Sequence, residues 1–223
     1  MHSSSDHVKP IHNRIPIARE GVPFIALSGF VVVYLLALGF SIAALVFFLV
    51  FGFIVFFFRN PERTVPQEKD VVVSPADGKV VTVEIVDDET NDFHGRLKIS
   101  VFMSLFNVHV NRIPADGVVT NISYHPGRFL SADLDKASEV NERNTLYLDM
   151  GDGREMAVAQ VAGLVARRIV CKVHRGDPVK RGDRFGLIRF GSRLDVFLPA
   201  ETRPAVSVGE KVTAGVSRLG FLK

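Results

Sequence analysis

The sequence predicts a mainly β domain, a compact barrel or sandwich, carried behind an N-terminal hydrophobic helical membrane anchor. Three observations predict it. Residues 22–58 contain no charged side chain, a run too long for a buried core helix. From about residue 65 onward, short β-rich runs alternate with turn signals at the spacing of an all-β architecture. The chain of 223 residues is 47% hydrophobic, with much of that in the one uncharged block. The expected organisation is a polar tail over 1–21, the anchor over 22–58 and a β-rich domain over 59–223.

The anchor divides near Gly39-Phe40-Ser41. Each half is close to the shortest usual span, roughly 17 residues. Two tight helices forming a hairpin and one long tilted helix are both open. Arg14 and Arg19 precede the block, and Arg59, Arg63 and Lys69 follow it. Positive charge on both sides suits a hairpin with both ends cytoplasmic. The expected location is the cell (inner) membrane, with the β-rich domain on the cytoplasmic side. The basic residues after the block also suit an anionic membrane surface. A cleaved signal peptide does not fit, because the apolar stretch is too long and lacks a small-residue cleavage site.

The strand candidates run in order: DVVVS, KVVTVEIV, RLKISVFM, GVVTNISY, TLYLDM, EMAVAQVAG, RRIVCKV, FGLIRF and RLDVFLP. Residues 131–144 are mostly polar and read as a loop or a helical turn. A short repeat punctuates the strands. Pro75-Ala76-Asp77-Gly78 and Pro114-Ala115-Asp116-Gly117 each precede paired valines. Proline presets φ and Asp-Gly suits a tight reversal, so both read as turns. Arg175-Gly176-Asp177 and Arg181-Gly182-Asp183 read the same way.

The net charge of +3 is not arranged as a basic run with interleaved aromatics, so nucleic acid is not an expected partner. Cys171 is the single cysteine, which excludes an internal disulfide and fits a reducing compartment. In its strand-like run it reads as a packed thiol rather than a nucleophile. No zinc-type ligand spacing and no phosphate-binding glycine pattern occurs, so no metal is expected.

One stretch is chemically unusual. Phe190-Gly191-Ser192-Arg193 interrupts what reads as a β-hairpin, with 185–190 before it and alternating Leu194, Val196 and Leu198 after it. Taken alone, Gly-Ser favours a turn. The domain also holds His109 among valines, His125 beside a turn and Asp77 in the first repeat. Serine, histidine and aspartate are the ingredients of an activated hydroxyl, although a lone histidine is more often structural.

The assembled pattern says more than its parts. A hydrophobic N-terminal anchor, SPADGKV, FMSLFNVHVNRIPADG, YHPGRF, NERN and a late FGSRLDVFLP occur in this order. The set resembles phosphatidylserine decarboxylase, in particular its short bacterial branch, from roughly residue 57 to the C-terminus. The resemblance implies an enzyme made as a zymogen. The chain would cut itself between Gly191 and Ser192, giving a β subunit of 1–191 and an α subunit beginning at former Ser192. That serine would become a covalent pyruvoyl cofactor. Its carbonyl would form a Schiff base with phosphatidylserine and accept the electrons left by CO₂, yielding phosphatidylethanolamine for phospholipid biosynthesis. The partners implied are the membrane phospholipid, the two subunits of one precursor and, without further specification, a homo-oligomer.

The resemblance also assigns residues. Asp77 matches the aspartate that orients a base for self-cleavage. His109 matches the first histidine of a His-x-x-His motif of longer members, whose second position is Arg112 here. His109 or His125 is then expected to act as the base, with His109 also a proton donor after decarboxylation. Phe129 and Leu130 are candidates for a lipid contact beside the site, against a plain packing role. Two other readings compete: a decarboxylase of a related archaetidylserine-like lipid, and a non-enzymatic membrane-anchored lipoyl-like adaptor.

Overall fold

The computed structural model describes residues 16–89, 92–127, 140–163, 168–189 and 191–223. The chain forms two compact units, one of Arg63–Ser104 with His109–Lys223 and one of Asn13–Glu62 with Leu105–Val108.

The smaller unit is helical. A 3-10 turn, Arg19–Gly21, leads into α1 (Val22–Ala37), and α2 (Ser41–Phe57) follows. Proline in the first turn of α1 suits a helix start, where its missing N–H costs nothing. Gly39 takes φ +79 between the helices, a conformation glycine adopts without penalty. The uncharged stretch thus forms two helices rather than one. Gly29 packs close to the Phe51 ring, where absence of a side chain lets the helices approach. The two ends of the hairpin are tied together: Ile17 bridges Arg59, and the Ala18 N–H donates to the Phe58 carbonyl at 2.8 Å. Arg19–Ala37 is long and apolar enough to cross a bilayer, and Ser41–Phe57 is apolar but shorter.

The larger unit is mainly β, as expected. Its main sheet curls into a half-barrel of eight strands. In chain order these are β2 (Gly78–Ile85), β3 (Leu97–Met103), β5 (Gly117–His125), β6 (Arg143–Asp149), β7 (Glu155–Ala162), β9 (Pro178–Val179), β11 (Ser192–Leu198) and β13 (Lys211–Val212). They are ordered β13-β2-β3-β11-β7-β6-β5-β9. A second sheet joins β4 (Val110–Arg112), β10 (Arg184–Ile188) and β8 (Ile169–Cys171) in the order β4-β10-β8. A third joins β1 (Val71–Val73), β14 (Arg218–Phe221) and β12 (Arg203–Pro204) in the order β1-β14-β12.

The nine strand runs legible in the sequence all form strands. Leu194, Val196 and Leu198 face the main core with Ile99, Val101 and Met103 of β3 and Val158 and Ala162 of β7. The opposite face of the same strands carries a smaller apolar cluster, in which Phe197 stacks on Phe93 at 3.9 Å between ring centroids. The repeat turns interlock. Asp116 accepts the Arg181 N–H at 2.7 Å, and Asp177 and Asp183 cap the turns before β9 and β10 by accepting the N–H groups of His174 and Lys180.

One expectation is corrected. The segments flanking Gly191-Ser192 do not form a hairpin. β10 pairs with β4 and β8, whereas β11 pairs with β3 and β7. Alternation along a strand reports which face is buried, not which strand is its neighbour. Gly191-Ser192 lies where the chain leaves one sheet and enters another.

Gly186 shows how closely β10 packs. A Cβ there would lie 2.3 Å from the Val170 carbonyl oxygen and 2.8 Å from Gln160 Nε2. Gly186→Ala is expected to destabilise the folded chain by about 1–3 kcal/mol, read as a lowered midpoint in a thermal melt of the detergent-solubilised protein. An unchanged midpoint would contradict this packing.

Candidate active site

Ser192 is the first residue of β11 and is fully buried. It sits directly opposite Met103 of β3 and Ala162 of β7. Its side chain shares the core face with Leu194, two positions on. Among the described residues its Oγ is buried without a hydrogen-bond partner. An unpartnered buried hydroxyl costs roughly 1–3 kcal/mol, so its retention calls for a chemical explanation. Gly191 before it has φ +58, and a Cβ there would meet nothing within 4 Å. Glycine at this position thus meets a torsional demand rather than a spatial one.

A layer of buried amides lies on the same face. Asn144 of β6 donates to Gln160 Oε1 at 3.0 Å, and Gln160 Nε2 donates to Asn111 Oδ1 at 2.8 Å. This chain of bonds orients the Asn111 carboxamide, whose Nδ2 points to Met103 Sδ at 3.8 Å. A thioether is a weak acceptor, and Met103 is the cross-strand neighbour of Ser192. Directly opposed antiparallel residues have Cβ atoms about 4.5–5.5 Å apart, so Asn111 reaches the side chain that neighbours Ser192 across the strands.

His109 is fully buried and comes two residues before Asn111. The β4–β10 register pairs Val110 with Leu187. His109 directly precedes β4, and the partner strand β10 ends at Ile188, from which the chain runs toward Ser192.

Asp77 immediately precedes β2. The register pairs Lys79 with Phe102 and Phe102 with Arg193, so Asp77 stands at the Ser192 end of the sheet, two strands away, at roughly 10 Å by strand spacing. Its carboxylate is held by Arg63 at 2.9 Å and by the Ala214 N–H at 2.8 Å. Arg112, in place of a second motif histidine, still abuts this turn. Its N–H donates to the Pro75 carbonyl at 2.9 Å, its guanidinium donates to the Gly182 carbonyl at 2.8 Å, and its Cδ lies close against Gly215.

His125 lies elsewhere. It ends β5 and is exposed, in a row with Arg143, Val161 and Arg193 across the sheet. That row faces away from the Ser192 side chain, and three strands of lateral spacing intervene. His125 lines an open groove with Arg143, Thr145, Lys98 and Asp195. Phe129 and Leu130 lie outside the described residues. Among the described residues no group of histidine, cysteine and carboxylate side chains could hold a metal ion.

Sequence reasoning missed the amide layer and one ion pair. Arg193 and Asp195, each 1% exposed at the side chain, meet at 2.9 Å on the face opposite Ser192. Their i, i+2 spacing in a strand was a readable signal of a shared face. Asn111, Gln160 and Asn144 come from three different segments and had no such signal.

A phosphatidylserine decarboxylase family model matches residues 50–219. The chain is 54% identical to a protein of Syntrophus aciditrophicus (strain SB) named phosphatidylserine decarboxylase proenzyme, over 92% of this chain and 96% of that one. It is 50% identical to the protein of the same name from Burkholderia mallei (strain SAVP1), over 92% and 95% of the two chains. With that from Burkholderia ambifaria (strain MC40-6) the identity is 49%, over 93% and 96%.

Cys171 is half-buried in β8, and burial pushes its thiol above the ordinary value. Less thiolate is then present near pH 8. Iodoacetamide is expected to label the native protein at pH 8 at least about tenfold more slowly than free cysteine, with rapid labelling after denaturation. Fast native labelling would contradict the burial.

Proposed function

Because the chain belongs to the phosphatidylserine decarboxylase family, we propose that it is a self-processing, pyruvoyl-dependent enzyme that converts phosphatidylserine to phosphatidylethanolamine and CO₂. The observation that carries this reading is the buried, unpartnered Ser192 Oγ directly after a glycine at positive φ, where the chain crosses between sheets.

In the processing reaction His109 takes the proton from Ser192 Oγ, and Oγ attacks the Gly191 carbonyl carbon. The Gly191–Ser192 C–N bond breaks, the nitrogen takes up a proton, and an ester joins the two segments. Loss of the Ser192 α-proton then breaks the Cβ–O bond. Gly191 leaves as a carboxylate, and residue 192 becomes dehydroalanine. Its enamine tautomerises to an imine, water adds, and ammonia departs to leave the pyruvoyl group. General-base help of this kind is worth about 10²–10⁴-fold. The Asn111 N–H, oriented through Gln160 and Asn144, is the donor that stabilises negative charge developing beside Ser192. Asp77, held by Arg63 and the Ala214 N–H, anchors the turn against Arg112 rather than acting on the serine.

The geometry fits the pyruvoyl group, since residue 192 would carry it at the head of a buried strand. When present, the group supplies the carbonyl that accepts the electrons released with CO₂. His109 returns a proton to the substrate carbon that CO₂ leaves. Burial of the Leu194 face excludes water from it. The α subunit, 192–223, stays in place after the cut because β11 is hydrogen-bonded to both β3 and β7. The helical hairpin anchors the enzyme in the membrane, with positive charge at both ends placing the β-rich unit on the cytoplasmic side.

Intact-mass measurement of the denatured protein tests the processing. Two chains split between Gly191 and Ser192 are expected, the shorter bearing a blocked, carbonyl-reactive end. Ser192→Ala is expected to remain one chain. A single wild-type chain that stays uncut on anionic membranes would overturn the reading.

His109→Ala is expected to slow processing by about 10²–10⁴-fold, while His125→Ala processes at the wild-type rate. The reverse order in a cleavage time course would move the base to His125. Asn111→Leu is expected to slow ester formation about 10²-fold, seen as loss of hydroxylamine-triggered cleavage of the precursor. Wild-type cleavage in Asn111→Leu would remove Asn111 from this role.

A further inference from the structure

We propose that Leu105 and Phe106, at the tip of the loop between β3 and β4, form a second membrane contact that enters the headgroup–acyl boundary of an anionic bilayer. This rests on the reading of α1 and α2 as the membrane anchor. Leu105 is 39% exposed and Phe106 is 69% exposed, so the tip presents two adjacent apolar side chains to its surroundings. The loop Leu105–Val108 belongs to the helical unit and not to the β unit.

Arg59 fixes the level of the tip. It is the first charged residue after the uncharged stretch 22–58, the place where a cationic side chain meets headgroups. Its guanidinium donates to the Phe56 carbonyl at 2.8 Å and to the Phe106 carbonyl at 2.7 Å, and lies 3.8 Å from the centre of the Phe56 ring. One interfacial cation thus binds the end of α2 and the loop tip together. An aromatic side chain held at that level and left exposed fits the interfacial layer, where rings are favoured.

The placement bears on the site through the chain itself. The loop leaves β3 at Met103, the strand partner of Ser192, and ends at Val108, next to His109. A tip held in the bilayer therefore tethers both flanking site segments to the layer where the substrate headgroup lies. It gives access to a lipid in the membrane, not to the chemistry of the headgroup.

The chain contains no tryptophan, so Phe106→Trp makes a single-tryptophan probe in the full-length protein. It is reconstituted in phosphatidylglycerol–phosphatidylcholine vesicles carrying lipids brominated on the upper acyl chain. Leu45→Trp, in α2, reports the anchor, and Val208→Trp reports an exposed site of the β unit. Quenching at 106 and 45 but not at 208 is the expected result. Quenching at 45 without quenching at 106 overturns the inference and leaves the anchor standing. Absence of quenching at 45 overturns the anchor reading and the inference with it.

Kinetics give the second arm. Phe106→Asp is expected to lower the ratio of kcat/KM on vesicle-borne long-chain phosphatidylserine to that on monomeric short-chain phosphatidylserine by about tenfold or more. An unchanged ratio overturns the proposal, including the case in which both substrates lose activity equally through misfolding or a site defect. Wild-type protein that turns over neither substrate would instead defeat the decarboxylase reading, whatever the quenching shows.

Discussion

Pairing of β11 along both of its edges, from its first residue, is the constraint on which the site depends. Ser192 is already in register with Met103 on one side and Ala162 on the other. The strand cannot begin later without leaving buried backbone groups unsatisfied. The whole turn from the second sheet must therefore be completed by Gly191, at φ +58. The Ser192 hydroxyl is carried into the core by the requirements of the ladder.

The two faces of β11 divide the polar work. The core face carries Ser192 and, across from it, neutral amides tied in a chain from Asn144 to Gln160 to Asn111. Neutral donors are cheaper to bury than charges and still supply directed hydrogen bonds. Formal charge is kept on the other face, where Arg193 and Asp195 neutralise each other out of water. Alternation of side chains along one strand thus keeps an ion pair next in sequence to the serine but away from its hydroxyl.

The departure at Arg112 has a structural counterpart. The resemblance drawn from the sequence implies a histidine at this position in longer members. Here the position still touches the turn of Asp77, but the arginine binds the Gly182 carbonyl and packs against Gly215. Asp77 in turn is matched by Arg63. The two segments meet through an arginine, and His109 is a fully buried imidazole two residues before Asn111.

Local pattern alone determined much of this protein. The uncharged block, the nine strands, the Pro-Ala-Asp-Gly and Arg-Gly-Asp turns and the exceptional Gly191-Ser192 pair were all legible, because helix span, strand alternation and turn chemistry are short-range properties. The pairing of strands was not. β10 and β11 look like a hairpin when read along the chain, yet they belong to different sheets, because partners are chosen by closure of the whole core. Side-chain direction was equally hidden. His109 and His125 read alike in sequence, whereas the fold buries the first completely and leaves the second exposed at the end of β5. Asn111, Gln160 and Asn144 became a single network only in three dimensions, since a hydrogen bond between segments distant in sequence leaves no mark on either segment alone.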